Sequence, residues 1–400
     1  MDLKPVQVWL ISANKSQPRF METYIVTKKT NHLSTLIFTA LIIGTLAAGC
    51  GGTVSTPGST PTLAATVTVK PTAQPQPTTA PTRAPTIAPT VTPTIAAAGV
   101  TSYLDDRSDA AAVIHSLFNA INLHQYARAY SYWDDTPERV AFDQFEAGYK
   151  DTASVQVTLG AIGLGAAAGN LYAPVPVTLI AKSAAGATQT FIGCYLLHLG
   201  QPAIQGTLPF RPWGIQSATV QPVADNADLA DLMSHACDSY GQPPALSPQP
   251  TADPGDISAN QYIDNRTDPV EVLRSLYNAI NRHEYVRAYS YWNSTAQNLP
   301  GLDQFEQGYS STQAVTLTAG LVTPDAGAGQ FYYTVPVTLK ASLSDGTPQI
   351  FVGCYVLHIS NPDIQAASPF QPLGIESANV QQVANGANTA QLMNQACSLP

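Results

Sequence analysis

The sequence predicts an α+β fold with two tandem domains. Each is a helical hairpin packed on an antiparallel sheet and closed by a C-terminal helix that a disulfide pins. Three observations predict this fold. A fifteen-residue stretch occurs twice with few changes, at residues 119–133 and 278–292. After each copy the apolar pattern changes from helical spacing to the alternation of strands. Two cysteines then recur at the same spacing in each domain.

The bulk composition restricts the class of protein. Charged residues make up 11% of the 400-residue chain, against about 25% in a typical soluble domain, which favours an extracytoplasmic protein over a cytosolic enzyme. The net charge of -9 and the lack of clustered Lys or Arg argue against nucleic acid as a partner. The chain divides into a signal peptide (1–49), a Thr/Pro-rich stalk (50–99), a first domain (100–238), a Pro-rich linker (239–260) and a second domain (261–400).

The leader has the pattern of a secretory signal. Lys28 and Lys29 precede an apolar run at residues 33–48, and small residues then lead to Cys50. The segment resembles a bacterial lipoprotein signal, although Ala47 stands where that motif usually has Leu. The resemblance implies that Cys50 is lipidated and that the protein is extracytoplasmic, lipid-anchored to the bacterial cell membrane. An uncleaved anchor is the alternative, and it places the domains on the same side.

Two segments are predicted to be extended rather than folded. Residues 53–98 are almost wholly Thr, Pro, Ala, Val and Ser. Repeated prolines favour polyproline II, and nothing in the stretch is patterned for burial, so we expect a disordered stalk. The linker at 239–260 is also rich in proline. We expect it to tether two domains that each fold on their own rather than as one fused body.

Three helices are predicted at the head of each domain. Asp268, Pro269 and Glu271 form a capping signature at the start of the first helix of the second domain. The apolar residues that follow fall on one face, as they do in the first domain. A short break leads into an aromatic second helix, which completes a helical hairpin. A third helix is expected to open on a capping box at Asp143 or Asp303.

Alternating apolar residues predict four strands in each domain. They span residues 155–159, 171–182, 190–199 and 218–223 in the first domain, and 315–318, 331–342, 350–359 and 378–383 in the second. Pro176 and Pro336 lie inside the second strand of each set, which places that strand at an edge or at a bulge. The glycine-rich residues 160–169 are interpreted as a flexible loop, and a closing helix is expected at 229–237 and 389–397.

Four of the five cysteines fall in the two domains, and four cysteines allow three pairings. In each domain one cysteine lies in a predicted strand and the other in the closing helix. This placement favours the disulfides Cys194–Cys237 and Cys354–Cys397 in an oxidising compartment. No Cys-x-x-Cys spacing is present, so we expect no metal site, and no motif indicates a cofactor.

The helical head Asn-Ala-Ile-Asn-x-His-x-Tyr-x-Arg-Ala-Tyr, with a later Asp-x-Phe-x-x-Gly-Tyr at 143–149 and 303–309, resembles the nuclear-transport-factor-2-like superfamily. That superfamily includes ketosteroid isomerases and polyketide cyclases. The resemblance implies two cone-shaped domains with curved sheets. Catalytic members use an acid or base at the mouth of the cone. The predicted strands of the first domain contain no Asp or Glu, and Glu376 precedes the last strand of the second, so the isomerase-like base is missing.

The remaining candidate pocket residues are basic or aromatic. His198 and His358 lie on the cysteine-bearing face of their strand, where a buried, hydrogen-bonded role is favoured. Arg128 and Arg287 are expected to pair with a carboxylate, for which Asp143 and Asp303 are the candidates, with anion binding as the alternative. The aromatic candidates have helical spacing and are interpreted as core, with pocket lining as the alternative: Tyr126, Tyr130, Trp133, Tyr285, Tyr289 and Trp292.

The sequence favours a membrane-anchored extracytoplasmic lipoprotein whose duplicated domains bind a ligand or a protein without catalysis. A small-molecule isomerase or hydrolase is one alternative, and a structural spacer or assembly protein is another. No catalytic residue is assigned. The expected partners are the membrane, through the lipid anchor, and an unidentified surface ligand or protein. Self-association through sheet faces is a further alternative.

Overall fold

The computed structural model describes residues 103–241 and 256–398, which we call the first half and the second half. The predicted signal peptide, the stalk, Cys50 and most of the linker lie outside these residues. None of the helices in the two halves is long and apolar enough to cross a membrane.

The first half has three helices, then five strands, then a closing helix. The helices at its head are α1 (Ala110–Asn122), α2 (Tyr126–Tyr130) and α3 (Phe142–Tyr149). The strands are β1 (Thr152–Leu159), β2 (Gly165–Ala167), β3 (Asn170–Ser183), β4 (Thr188–Gly200) and β5 (Gly214–Pro222), and the closing helix is α4 (Leu229–His235).

The same order of elements occurs in the second half. Its helices at the head are α5 (Pro269–Asn281), α6 (Tyr285–Ser290) and α7 (Leu302–Tyr309). The strands are β6 (Thr312–Ala319), β7 (Thr323–Gly327), β8 (Gln330–Leu343), β9 (Pro348–Ser360) and β10 (Gly374–Val383), and the closing helix is α8 (Thr389–Gln395).

Each half contains one antiparallel sheet. The strand order is β1-β3-β4-β5 in the first half, with β2 also paired to β3, and β6-β8-β9-β10 in the second, with β7 also paired to β8. The register shifts near the start of β1 and within the β4–β5 ladder, and at matching places in the second sheet. Such bulges bend the strands and increase their twist. The predicted α+β class is confirmed.

Helix α1 is fixed at both ends. The Asp109 carboxylate accepts a hydrogen bond from Ala112 N at 2.8 Å, as an N-cap does. At the other end, Asn122 donates to Val155 O at 2.9 Å and accepts from Val155 N at 2.7 Å. The asparagine amide therefore pairs with β1 as a neighbouring strand would. Between these ends the apolar face of α1 is buried in the core: Val113, Ile114, Leu117, Phe118 and Ile121.

The position of proline corrects one prediction. Strand β3 lies between β1 and β4, so the edge alternative for Pro176 and Pro336 is wrong. Pro176 O accepts a hydrogen bond from Gly160 N at 2.8 Å, just beyond the end of β1. In an antiparallel sheet the backbone N and O of one residue point toward the same neighbouring strand. For Pro176 this is the side of β1 and β2, and Pro176 lies between the end of its pairing with β1 and the start of the pairing with β2. No strand residue there requires a hydrogen bond from position 176. The proline is tolerated at this gap in the ladder.

Two further predictions are wrong at the boundaries of elements. Helix α3 has Ala141 as its N-cap, with no side-chain bond, so Asp143 lies inside the first turn. There its carboxylate faces the positive end of the helix without capping it. The loop predicted at 160–169 contributes β2. Strand β7 was also missed, because it is exposed along its whole length and has no apolar alternation.

The disulfides Cys194–Cys237 and Cys354–Cys397 each close within one half, which is the pairing that the sequence favours. Each one joins a central strand to the second residue after the closing helix. Cys194 lies on the face of β4 opposite Tyr195, whose ring is in the core with α1. Helices α4 and α8 therefore cover the outer face of each sheet.

The two halves also contact each other through the segments that precede α1 and α5. Arg107 N donates to Asp264 O at 2.7 Å, and Arg266 N donates to Asp105 O at 2.6 Å. The backbone N–H groups of both aspartates bond to a hydroxyl of the other half, at 3.1 and 3.0 Å. These bonds are reciprocal, as they are across a two-fold axis. The structure thus adds a direct contact to the predicted tether.

Candidate functional site

The guanidinium of Arg128 is completely buried and fixes the segment that precedes α1. It donates to Leu104 O, to Asn119 Oδ1 at 2.7 Å and to Gln125 Oε1 at 2.7 Å. It also lies 4.6 Å from the centroid of the Tyr103 ring, a cation–π contact. These partners all belong to the first half, so Arg128 ties the helical hairpin to the start of that half.

Arg287 has equivalent surroundings in the second half, with one difference. Glu284 Oε2 accepts from Arg287 Nε at 2.6 Å, where the first half has an amide. Arg287 has the carboxylate partner that the sequence predicts, but this partner is Glu284 rather than Asp303. Arg128 bonds to the Gln125 amide instead of Asp143. Residues three apart are neighbours on one helix surface, so Glu284 reaches Arg287 more directly than an aspartate on α7. With no exposed surface, neither guanidinium is open to an anion.

His198 lies on the cysteine-bearing face of β4 and is 28% exposed, rather than fully buried. Its Nδ1 is 3.3 Å from Asp134 Oδ2, and its Nε2 is 2.9 Å from Asn170 Oδ1. Burial raises the pKa of Asp134, and the neighbouring His198 partly opposes this shift. Both ring nitrogens therefore have partners in the protein.

The second half lacks the acid of this pair. Asn293 occupies the place of the aspartate, and His358 Nε2 is 2.7 Å from Gln330 Oε1. The His358 ring stacks on Tyr332 with 4.6 Å between centroids. Burial lowers the pKa of His358, and Glu376 partly offsets this shift. Glu376 lies inside β10 rather than before it and accepts from Asn293 Nδ2 at 3.1 Å.

The aromatic candidates lie at different depths. Tyr130 and Trp133 are buried, and Tyr289 and Trp292 pack against the core of the second half. The indole N–H groups of both tryptophans, although buried, have no hydrogen-bond partner among the described residues. Tyr126 and Tyr285 are half-buried at the start of α2 and α6.

Two pockets of different size adjoin these residues. The pocket beside Trp133 and Asp134 has a volume of about 20 Å³, which is room for about one water molecule. A wider depression of about 440 Å³ is open to solvent and is lined by Tyr126, Asp143, Glu146, Ala147 and Lys150. Burial and then Glu146 raise the pKa of Tyr126. In the two halves, no group of three or more His, Cys, Asp or Glu is arranged to hold a metal ion.

The structure does not bring the candidates into one site. Arg128 contacts the N-terminal segment, His198 contacts β3 and the loop after α2, and Tyr126 lines the depression beside α3. Sequence reasoning missed Asp134 and Gln125, which contact His198 and Arg128. A signal for both was present: each lies at or next to the repeated stretch, at a position where the two copies differ.

No family model, no curated protein and no solved structure matches this chain.

Proposed function

We infer that this chain is a lipid-anchored extracytoplasmic protein whose two halves form a non-catalytic binding module. The pairing of the cysteines is the observation that supports an extracytoplasmic location. The chain has five cysteines, and the two disulfides use four of them, each bond within one half. Disulfides of this kind persist in oxidising compartments. The fifth cysteine is Cys50, at the end of the signal-like segment, where a lipoprotein would be acylated.

Binding rather than catalysis is supported by the contacts of the candidate residues. Arg128 and Arg287 are sealed inside the protein, and His198 has protein partners at both ring nitrogens. A catalytic base must reach the proton of its substrate directly or through one water. The partner of this protein therefore meets its outer surface rather than an internal cavity.

The two halves derive from a duplicated domain with a cone-like fold. Both disulfides span 43 residues. The central ladders have matching registers, with Pro176 opposite Cys194 and Pro336 opposite Cys354. Descendants of one ancestral domain would retain this register, because a shift of one residue would turn every core side chain to the other face.

The test of the anchored location is mass spectrometry of the mature N-terminal peptide from bacterial membranes. We expect a peptide that begins at Cys50 and carries acyl chains. The variant Cys50→Ala keeps both disulfides, and we expect it to lose acylation and to leave the membrane fraction if its signal is cleaved. A mature chain that begins elsewhere, or an unmodified Cys50 in membrane-bound protein, would contradict the proposal.

A further inference from the structure

The contact between the halves has a recognisable centre. We call residues 103–108 and 262–267 the pairing segments. Asp106 and Asn265 form an antiparallel bridge between them, and Asn265 Nδ2 donates to Asp106 Oδ2 at 3.4 Å. The reciprocal backbone bonds lie on both sides of this bridge. Asp106 and Asn265 are also equivalent positions of the two copies, so the approximate two-fold axis passes between them.

We propose that this contact is selective for one first half and one second half, and that it disfavours the pairing of either half with its own kind. In a self-complementary contact, a residue on the axis faces its own copy. Two first halves would bring one Asp106 against another. Like charges placed against each other across an interface oppose association.

The surroundings of Asp106 already disfavour one negative charge. The pKa of Asp106 is raised to about 6, mainly by burial, with smaller contributions from Asp109 and Asp264, while hydrogen bonds from Ser108 oppose the shift. A second carboxylate in place of Asn265 would add to this repulsion and would remove the amide that now donates to Asp106. An asparagine opposite Asp106 is therefore favourable, whereas an aspartate there would be unfavourable.

A second pair of residues disfavours a complex of two second halves. Gln125 Nε2 of the first half donates to Asp363 Oδ1 of the second at 2.7 Å. Glu284 occupies the place of Gln125 in the second half, and Ala203 occupies the place of Asp363 in the first. Two second halves would bring Glu284 toward another Asp363, so two carboxylates would meet. In the mixed pair, alanine occupies the place equivalent to Asp363, so the approximate symmetry sets no second carboxylate against Glu284.

Only the mixed pairing avoids both conflicts. The partner that fits each pairing segment is thus the complementary half. Selectivity of this kind comes from unfavourable contacts in the wrong complex as well as favourable ones in the right complex. The linker adds to it, because it holds the right partner at a high effective concentration.

The test uses the full chain with a site-specific protease sequence inserted in the linker between residues 242 and 255. Cleavage after folding leaves two halves held together only by their contact. Sedimentation velocity over a dilution series at pH 7.5 then gives the dissociation constant. We expect the nicked wild-type protein to remain a one-to-one complex at micromolar concentrations.

The central pair is tested by exchange. Asn265→Asp places a carboxylate against Asp106 and is expected to raise the dissociation constant by about tenfold or more. Asn265→Ala is the matched control, because it removes the amide without adding charge, and its effect should be smaller. Combining Asp106→Asn with Asn265→Asp exchanges the two side chains and should bring the constant back to within about threefold of wild type.

The second pair is tested in the same way. Gln125→Glu places a carboxylate beside Asp363 and is expected to weaken the complex. Within its own half this change copies Glu284, which accepts from Arg287 Nε, and Arg128 occupies the place of Arg287. Adding Asp363→Asn should restore the complex.

The proposal is overturned if Asn265→Asp and wild type have equal dissociation constants, or if Asn265→Ala weakens the complex as much as Asn265→Asp. It is also overturned if the nicked wild-type halves separate at micromolar concentrations. If Asn265→Asp does not fold, the exchange variant decides, since it contains the same two kinds of side chain. Recovery in that variant supports selectivity, and failure to recover overturns it.

Discussion

The hydroxyl groups of Tyr195 and Tyr355 show how a single residue decides whether a buried polar group is satisfied. Both side chains lie in the core. The Tyr355 hydroxyl is 2.5 Å from that of Tyr277. Phe118 stands at the place of Tyr277 in the first half, so the Tyr195 hydroxyl has no partner among the described residues. An unpaired buried hydroxyl is destabilising, whereas a paired one is not.

Removal of these two hydroxyls should have opposite effects. Tyr195→Phe is expected to raise the free energy of unfolding by about 1 kcal/mol, because an unsatisfied group is removed from the interior. Tyr355→Phe is expected to lower it by about 1 kcal/mol, because Tyr277 loses its partner. Urea denaturation of the oxidised chain measures both values. Changes of the same sign would contradict this account.

At the scale of elements, glycine allows the last strand of each sheet to approach closely. A Cβ atom on Gly353 would lie 2.2 Å from Asn379 O and 2.5 Å from Val380 Cα. Gly193 has the same close approach to β5 in the first half. These contacts are with backbone atoms, which cannot move aside as a flexible side chain can. Only glycine fits where β9 meets β10.

Alanine at this place should therefore separate the two strands. Gly353→Ala is expected to lower the free energy of unfolding by about 3 kcal/mol. Gly327→Ala is the matched control, because it lies in the same sheet with no atom within 4 Å of the added Cβ, and a change within about 0.5 kcal/mol is expected. Chemical denaturation compares the two variants. Equal losses would show that the close approach is unimportant.

The closing helix of each half depends on its disulfide more than on its own packing. Helix α4 has seven residues and none of them is buried. Isolated helices of this length are unstable in water. The Cys194–Cys237 bond therefore supplies much of what holds α4 on the sheet.

Loss of that bond should release the helix before it affects the core. The double variant Cys194→Ser/Cys237→Ser is expected to lower the free energy of unfolding by about 4 kcal/mol on the chain-entropy model. Hydrogen exchange should show rapid exchange of α4 amides while α1 stays protected. Unchanged protection of α4 would mean that side-chain packing holds it.

At the scale of the whole molecule, the contact between the halves contains an ionisable group in an unfavourable place. Burial raises the pKa of Asp106 from 3.8 to about 6. Because the pKa of Asp106 is higher in the folded chain, folding favours its protonated form. The resulting stabilisation is complete below pH 3.8 and is lost as the pH rises through about 6. The groups that face it are Asp109, Asp264, Ser108 and Asn265.

Substitution of Asp106 should reduce the pH dependence of stability. Between pH 5 and pH 7.5, Asp106 is expected to lower the free energy of unfolding by about 1 kcal/mol, a value reduced for its partial exposure. Asp106→Asn should remove this component and should be the more stable protein at pH 7.5. Thermal or urea denaturation at the two pH values measures the difference. A steeper pH dependence in Asp106→Asn would contradict this assignment.

Much of the local structure was predictable from sequence. The apolar spacing of α1 and the alternation of β3 and β4 appear in the chain itself, because each depends on neighbours a few residues away. The short exposed strands β2 and β7 were not predictable, because they have no apolar alternation. They are strands only through their hydrogen bonds to β3 and β8. Asp143 was misassigned because a capping pattern beginning one residue inside the helix resembles one at its start.

The candidate residues were placed less well than the elements that carry them. The sequence predicted a carboxylate partner for Arg128, but its partners in the structure include Leu104 O and Asn119 Oδ1. The pairing of His198 with Asp134 joins residues 64 apart in sequence. A local sequence pattern cannot predict a contact between residues that far apart in the chain.

The sequence by itself determined the order of most helices and strands and the cysteines that pair within each half, because these follow from periodicity and spacing along the chain. The tertiary structure alone decided which groups enclose the buried arginines, which acid reaches His198 and how the pairing segments meet. These features depend on contacts between residues distant in sequence, and only the packing of the folded chain brings such residues together.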